Sequence, residues 1–328
     1  MATMKIRNFK YGLRSFLTLF VLILIQGCDF GELKQKAVTG EASVVTDETL
    51  APLMKELDSE FERLNPEAKL NYTVQPSKVA VTELLNRDVK SILIGRELTE
   101  EELQFAKKVN LEISKHEVAL DGIGFIVNPD SPIERLTSED LKKIFSGQIT
   151  KWSQIKVEDE EQNRAVLKKL SGTKDDIKLF IQRPNSSLYD LVKDSSLKIN
   201  AFAESSVICS TSVHILESIR KHINGIGITN LIVLSKGNQD EQDTTVRPVR
   251  VSFITQTGTQ RDYAMFHQGT VAYRSYPYFR KIYLYTAEVD INVIMGFITF
   301  LLNKDGQTIV LKNGLVPVNQ PLRIIKLE

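Results

Sequence analysis

The chain has 328 residues and a nearly balanced charge, because 42 lysines and arginines stand against 41 aspartates and glutamates. Acidic and basic residues are interspersed, so we expect no basic surface of the kind that binds nucleic acid. Only two cysteines are present, Cys28 and Cys209, which excludes a disulfide-rich scaffold. About 290 residues remain after a leader, and these are enough for two hydrophobic cores.

The N-terminus is typical of an exported lipoprotein. A basic region precedes the apolar run Phe16–Ile25, which is shorter than the roughly 20 residues that a membrane-spanning helix needs. Gly27 directly before Cys28 matches the lipobox of bacterial lipoproteins, in which the cysteine is lipidated after cleavage. We predict a signal peptide over residues 1–27 and a solvated tether over 28–41 that does not pack. An ordinary signal peptide with an unrelated cysteine is the alternative.

Strands and helices alternate over the first part of the mature chain. Apolar runs predict strands, and amphipathic segments with capping residues predict helices. In chain order we expect a strand over Ala42–Val45, a helix over Leu50–Leu64, a strand over Leu70–Val74, a helix over Val79–Asn86, a strand over Ser91–Ile94, and a helix capped by Thr99 that ends near Val109. This rhythm indicates an α/β protein with a mostly parallel sheet flanked by helices.

The next segment carries the most specific pattern in the chain. The apolar run Leu120–Pro129 opens with Asp-Gly and closes with Asn-Pro, which predicts a short buried strand. Thr137, with Asp140 three residues later, predicts a capping box. The helix that it starts should end near Phe145-Ser146-Gly147, shortly before Lys151-Trp152.

The remaining segments are predicted in the same way. Two charged stretches, Val157–Asp176 and Lys236–Thr245, favour exposed loops. The other elements are a strand over Ile177–Ile181, the turn Arg183–Ser187, a helix beginning near Leu188, a helix over Ser212–His222, a strand over Gly225–Thr229, a strand within Tyr276–Tyr285 and a helix over Val289–Leu302. Cys209, among apolar neighbours, is expected to be a small buried residue.

The Asp-Gly strand, the Ile-Phe-x-Gly helix end and Lys-Trp at this spacing resemble the second lobe of the phosphate-binding proteins that feed ABC transporters. Tyr276-Pro277-Tyr278-Phe279-Arg280 and the tail through Val316-Pro317 resemble the same family, so the resemblance covers Ser43 to Pro317. It implies a two-lobe type II periplasmic binding protein fold, with lobes joined by two crossing strands. Lobe one would comprise 42–118 plus 282–328, and lobe two 119–281.

The resemblance also implies a function. A protein of this family would capture inorganic phosphate, or a similar tetrahedral oxyanion, in the cleft between the lobes for uptake by an ABC-transporter permease. It would act as a monomer, without a cofactor or metal, and it would not be an enzyme. Lipidation of Cys28 would anchor it to a membrane of the cell envelope, facing the periplasm or the exterior.

Three places could supply donors for an oxyanion, which needs several directed N–H and O–H groups when no metal holds it. The first is the turn before Pro52. In the family this turn presents Ser or Thr, and the matching positions here are Asp47, Glu48 and Thr49. One of the two carboxylates would accept the proton of monohydrogen phosphate and repel fully ionised sulfate. A simple helix-capping role for Asp47 is the alternative.

The other two places each carry an arginine. Gly95-Arg96 follows a buried strand where the family often has Ser-Arg, so Arg96 would offer a guanidinium. Arg183, Ser186 and Ser187 match the family pattern of Arg followed by a hydroxyl-bearing turn. A salt bridge of Arg96 to a neighbouring helix, and capping by Ser186, are the structural alternatives. Asp121, in the Asp-Gly pair, is expected to serve the architecture.

A hydrolase that uses Ser186 with His214 or His222 as its base is the first alternative class of function, and the sequence does not favour it. The chain has no Gly-x-Ser-x-Gly elbow, and its histidines do not have metal-ligand spacing. These histidines are His116, His214, His222 and His267. The acidic Asp47 and Glu48, the missing hydroxyl at Gly95, and Leu188 in place of a small or hydroxyl residue keep open a lipoprotein that retains the clamp fold but serves as a sensor or interaction module.

Overall fold

The computed structural model describes residues 30–157, 159–238, 241–255 and 257–319. The predicted signal peptide and Cys28 lie outside these ranges and stay predictions. The strands are β1 (Gly40–Asp47), β2 (Ala68–Gln75), β3 (Ser91–Ile94), β4 (Ser114–Val127), β5 (Arg135–Thr137), β6 (Lys178–Gln182), β7 (Val207–Cys209), β8 (Gly225–Asn230), β9 (Arg247–Pro248), β10 (Arg250–Ile254), β11 (Gln260–Ala264), β12 (Phe279–Thr286) and β13 (Val316–Pro317).

The α-helices lie on the faces of these sheets. They are α1 (Phe30–Lys36), α2 (Ala51–Leu64), α3 (Ser77–Leu85), α4 (Glu100–Lys108), α5 (Ser138–Phe145), α6 (Glu160–Lys169), α7 (Ser187–Leu191), α8 (Ser212–Lys221), α9 (Leu231–Leu234), α10 (Gln268–Ala272), α11 (Val293–Leu302) and α12 (Lys304–Lys312). None of them, over the described part of the chain, has the length and hydrophobicity to cross a membrane. The capping boxes predicted at Thr99 and Thr137 are confirmed.

The sheet order β2-β1-β3-β12-β4-β8-β6-β7 gives a two-lobed molecule. On one side, β2, β1 and β3 are parallel, and β12 is antiparallel to both β3 and β4. On the other side, β8, β6 and β7 are parallel, and β8 is antiparallel to β4. Strand β4 therefore belongs to both lobes, because its first part pairs with β12 and its last part pairs with β8. The predicted α/β two-lobe fold is confirmed.

Alternation along the strands separates the apolar cores. Neighbouring residues Val44 and Val45 of β1 belong to different clusters, as do Tyr283 and Leu284 of β12, since successive side chains point to opposite faces. Both faces of this lobe are thus packed. A third and larger cluster surrounds β6, β8 and the last part of β4 and contains Trp152. Cys209 is fully buried, as predicted.

One predicted element is longer than expected and another is wrong. The strand predicted over Leu120–Pro129 is present, but it is the second half of β4, which begins at Ser114 and runs through Asp121-Gly122 because strands pair with it on both sides of that point. The expected loop Val157–Asp176 contains α6, capped by Asp159. Gln162 and Val166, four residues apart in α6, are buried on one face of this helix. The many charged residues around them made this short amphipathic pattern hard to recognise in the sequence.

The unpacked tether predicted over 28–41 is also wrong for its described part. Residues Phe30–Lys36 form α1, and β1 begins at Gly40, whose amide donates to the carbonyl of Glu67 at 2.9 Å. Between them, the carbonyl oxygen of Ala37 lies only 1.9 Å from where a Cβ on Gly296 of α11 would stand. The chain ahead of β1 is therefore packed against α11. The lobe boundaries given above stay predictions.

Candidate ligand-binding site between the lobes

Asp47, the last residue of β1, lies at the centre of a buried polar cluster. Its carboxylate accepts hydrogen bonds from the amide and hydroxyl of Thr49, at 2.8 and 2.7 Å, and from the hydroxyl of Ser77. Asp47 is fully buried and caps the turn Glu48–Leu50. The capping role considered for Asp47 is therefore present, and it places the residue beside its neighbours Glu48 and Thr49.

Arg280, on the crossing strand β12, joins this carboxylate to that of Asp121 on β4. Its Nε donates to Asp121 Oδ2 at 3.0 Å, its Nη2 donates to Thr49 Oγ1 at 2.5 Å, and its Nη1 lies 3.8 Å from Asp47. Asp121 also accepts from Asn230 and from the amide of Leu231. Burial raises the pKa of Asp121, while Arg280 and these donors oppose the shift. Asp121 thus has a structural role, as expected, because it holds Arg280 in place.

Gly95 provides the space for this guanidinium. A Cβ at position 95 would stand 2.3 Å from Arg280 Nη1, a separation that no side chain could tolerate without moving the arginine. The glycine that stands where the family often has a hydroxyl is therefore coupled to the position of Arg280.

Glu48 reaches from the same turn to α7 of the other lobe. Ser187 donates its amide to Glu48 Oε1 at 2.7 Å, and its hydroxyl lies 3.0 Å from Glu48 Oε2. Burial and the neighbouring Asp47 raise the pKa of Glu48, against the hydrogen bonds from Ser187. The carboxylate is thus held through both of its oxygens, which is the arrangement that an oxyanion ligand would need.

Two further contacts join the same elements. The amide of Ser77, the first residue of α3, donates to the Ser187 hydroxyl at 2.8 Å. Next to it, Lys78 forms an ion pair with Asp190 of α7 at 2.8 Å. Ser77 and Ser187 are both buried. The start of α3 and the Glu48 turn therefore meet the start of α7 along one seam.

The two arginines predicted as ligand contacts are not part of this cluster. Arg96 forms a bidentate pair with Glu102 of α4, at 2.8 and 2.7 Å, and so makes the salt bridge considered as its alternative. Arg183 is exposed on the turn before α7. Ser186 is buried and caps α7 by accepting from the amide of Tyr189 at 3.3 Å. Among the predicted residues, the structure brings together Asp47, Glu48, Thr49 and Ser187.

Arg280 and Ser77 were not predicted as site residues. Arg280 lies within the Tyr-Pro-x-x-Arg segment, and Gly95 in place of a hydroxyl was a sign that another group needs its space. Ser77 follows Pro76 at the start of a helix, which is an ordinary position for serine and gives no such sign. Within the described ranges, no group of His, Cys, Asp and Glu is placed to hold a metal ion.

Two lobes that share crossing strands and meet at a polar seam define a type II periplasmic binding protein. The chain belongs to the PBP superfamily domain family, whose model matches residues 34–305. The phosphate-binding protein PstS of Borreliella burgdorferi is 23% identical over 274 residues, covering 82% of this chain and 87% of the relative. PstS of Pseudomonas aeruginosa PAO1 is 24% identical over 300 residues, covering 87% and 85%.

Solved structures agree with this fold. An ABC-type phosphate transport receptor from Vibrio cholerae superposes with a TM-score of 0.63 at 17% identity, covering 85% of this chain and 100% of the receptor. PstS from Borrelia burgdorferi gives a TM-score of 0.55 at 21% identity, covering 84% and 98%. The family resemblance predicted from the sequence is confirmed.

Proposed function

We propose that this protein captures inorganic phosphate, or a similar tetrahedral oxyanion, between its lobes and delivers it to an ABC transporter. The observation that carries the proposal is the bidentate binding of the Glu48 carboxylate by the amide and hydroxyl of Ser187. These two donors, from one lobe, hold two oxygens of an anionic group at the seam. Relatives named phosphate-binding protein PstS support the choice of oxyanion.

The hydroxyls of Thr49 and Ser77 donate to Asp47 in this structure. Because each has a single hydrogen to donate, they would turn from Asp47 to the anion and complete the donor set from the first lobe. An anion bound at Ser187 would meet these hydroxyls, with Asp47 as an acceptor for the proton of monohydrogen phosphate. Closure of the lobes strengthens each contact, because the local dielectric constant falls when water leaves. Arg183, on the turn that leads to Ser186 and Ser187, would supply a cation from lobe two. Arg96 is a second candidate, which would have to leave its pair with Glu102.

The remaining parts of the proposal concern the setting of the protein. We propose that it is a monomeric lipoprotein, anchored through Cys28 and facing the periplasm or exterior, with no cofactor and no catalytic activity. Metabolic labelling with palmitate tests the anchor: wild type should incorporate label and Cys28→Ser should not. Label on the serine variant would refute lipidation at this position.

Isothermal titration calorimetry of the purified protein with phosphate and sulfate tests the ligand. Ser187→Ala should weaken phosphate binding about tenfold or more, because it removes a hydroxyl that contacts a charged group. The matched control is Ser210→Ala, since Ser210 is exposed outside the seam. The proposal is refuted if neither wild type nor Glu48→Ala binds any oxyanion.

A second candidate function is favoured by the charges at the seam. Among the described residues, the carboxylates of Asp47 and Asp121 flank the guanidinium of Arg280, and Glu48 adds a third carboxylate beside Asp47. An excess of negative charge opposes an anion and suits a clamp that serves as a sensor or interaction module. If calorimetry detects no heat of binding for any of the oxyanions, this second candidate is favoured.

A further inference from the structure

We propose that Glu48 is an internal ligand that holds the lobes closed before any external anion arrives. Its carboxylate uses the amide and hydroxyl of Ser187, the donors that the proposed function assigns to an oxyanion. The part of this proposal that concerns an external anion rests on that function. The closure by Glu48 itself does not.

The contacts around Glu48 are the ones expected of a closing device. Glu48, Ser77 and Lys78 on one side contact Ser187 and Asp190 on the other. All come from one turn and the start of one helix in the first lobe, and from the start of α7 in the second. The chain's own side chains thus form a continuous interface at the position where a ligand would join the lobes.

Glu48 is held in a way that allows exchange. It has no ion pair with a described cation, so its carboxylate depends on the neutral donors of Ser187. An external oxyanion can replace it by taking the same donors, and Glu48 can then turn toward solvent. Replacement of one carboxylate by another oxyanion keeps the number of hydrogen bonds at Ser187 unchanged.

Competition follows from this arrangement. An external anion can bind only those molecules in which Glu48 has left the Ser187 donors. The apparent affinity for the anion is therefore the intrinsic affinity multiplied by the fraction of such molecules. Removing the carboxylate should therefore open the lobes and also raise the affinity for oxyanions. These are two separate measurements.

Hydrogen–deuterium exchange of the full-length protein measures closure without added anion. The amide of Ser77 is an informative reporter, because it donates to Ser187 across the seam and neither residue is changed in Glu48→Ala. We expect exchange of this amide to become about tenfold faster or more when the charge-assisted contact of Glu48 is lost. Strand β6, in the core of the other lobe, should keep its protection and so report an intact fold.

Two further variants complete this test. Glu101→Ala removes an exposed carboxylate of α4 outside the seam and should leave Ser77 exchange unchanged. Glu48→Gln keeps the shape and one acceptor oxygen, so its effect should be smaller than that of Glu48→Ala. If Glu48→Ala keeps β6 protected and Ser77 exchanges as in wild type, Glu48 does not hold the lobes and the proposal is overturned.

Calorimetry with inorganic phosphate then separates the two proposals. Tighter binding to Glu48→Ala than to wild type, by about tenfold, supports Glu48 as an internal competitor. Weaker binding would overturn the competition and would make Glu48 a direct contact of the anion. If Ser77 exchange is faster but no oxyanion binds either protein, the closing role stands and the oxyanion function fails.

Discussion

Replacing Arg280 by methionine removes the guanidinium that pairs with Asp121 in the buried cluster. The arginine side chain is 3% exposed and pairs with Asp121 at 2.9 Å, while Asp47 lies 3.8 Å away. Breaking a buried ion pair by removing one partner typically costs about 3–5 kcal/mol, because a charge stays buried without its partner. Asp121 keeps the donors Asn230 and Leu231, so we expect a loss near the lower end, about 3 kcal/mol.

Equilibrium unfolding in urea measures this loss. Far-ultraviolet circular dichroism follows the whole chain, and the fluorescence of Trp152, the single tryptophan, follows the core cluster in which it is buried. Arg63→Met is the control, since the Arg63 side chain is 66% exposed and pairs with Glu60 one turn away. Such an exposed pair should change the free energy of unfolding by less than about 0.5 kcal/mol.

The pH dependence of the Arg280→Met variant gives an independent check. Burial already raises the pKa of Asp121, and Arg280 opposes that rise, so the pKa should increase further in the variant. An acid whose pKa is higher in the folded state stabilises the protein at low pH and loses that contribution as pH rises. The difference in free energy of unfolding between wild type and Arg280→Met should therefore become smaller as the pH is lowered. A loss below about 1 kcal/mol at pH 7, or a deficit that grows in acid, would refute the reasoning.

Three further predictions concern other positions. Gly95→Ser should displace Arg280 by steric overlap and lower the free energy of unfolding by about 1–3 kcal/mol, but much less in an Arg280→Met background, as urea titration would show. Burial raises the pKa of Asp58 to about 6, so wild type should lose stability as pH rises through 6, and Asp58→Asn should remove this dependence. Gly296→Ala should push away the carbonyl of Ala37 and speed proteolysis before β1, whereas unchanged cleavage would contradict that packing.

Elements set by local sequence were predicted well. Ser91–Ile94 is a strand with the predicted bounds, and the Thr137 capping box starts its helix as expected, because the signals lie within a few residues. The length of β4 could not be read in this way. Asp121-Gly122 has the composition of a turn, and it is kept extended by strands that are distant in sequence, β12, β13 and β8.

The same limit applies to the site. Asp47, Glu48 and Thr49 are adjacent in the chain, so their grouping required no knowledge of the fold. The contact of Glu48 with Ser187 depends on how two lobes meet, and the contact of Arg280 with Gly95 depends on the register of β12 beside β3. The local sequence pattern contains no information on either contact. This is why Arg280, at the centre of the cluster, was not predicted as a site residue.

The shared strand β4 has a mechanical consequence for the motion of the lobes. Pairing with β12 runs from Ser114 to Gly122 with one bulge at Val118, and pairing with β8 takes over at Ile123, so the two sheets are joined by β4 without a loop between them. Opening of the two lobes must therefore bend and twist β4 together with the strands that pair with it. These paired strands resist the deformation elastically and favour the return of the lobes to their starting position. Substitutions that change the stiffness of β4 and its partner strands should shift the rate and amplitude of opening without altering any atom of the proposed anion site.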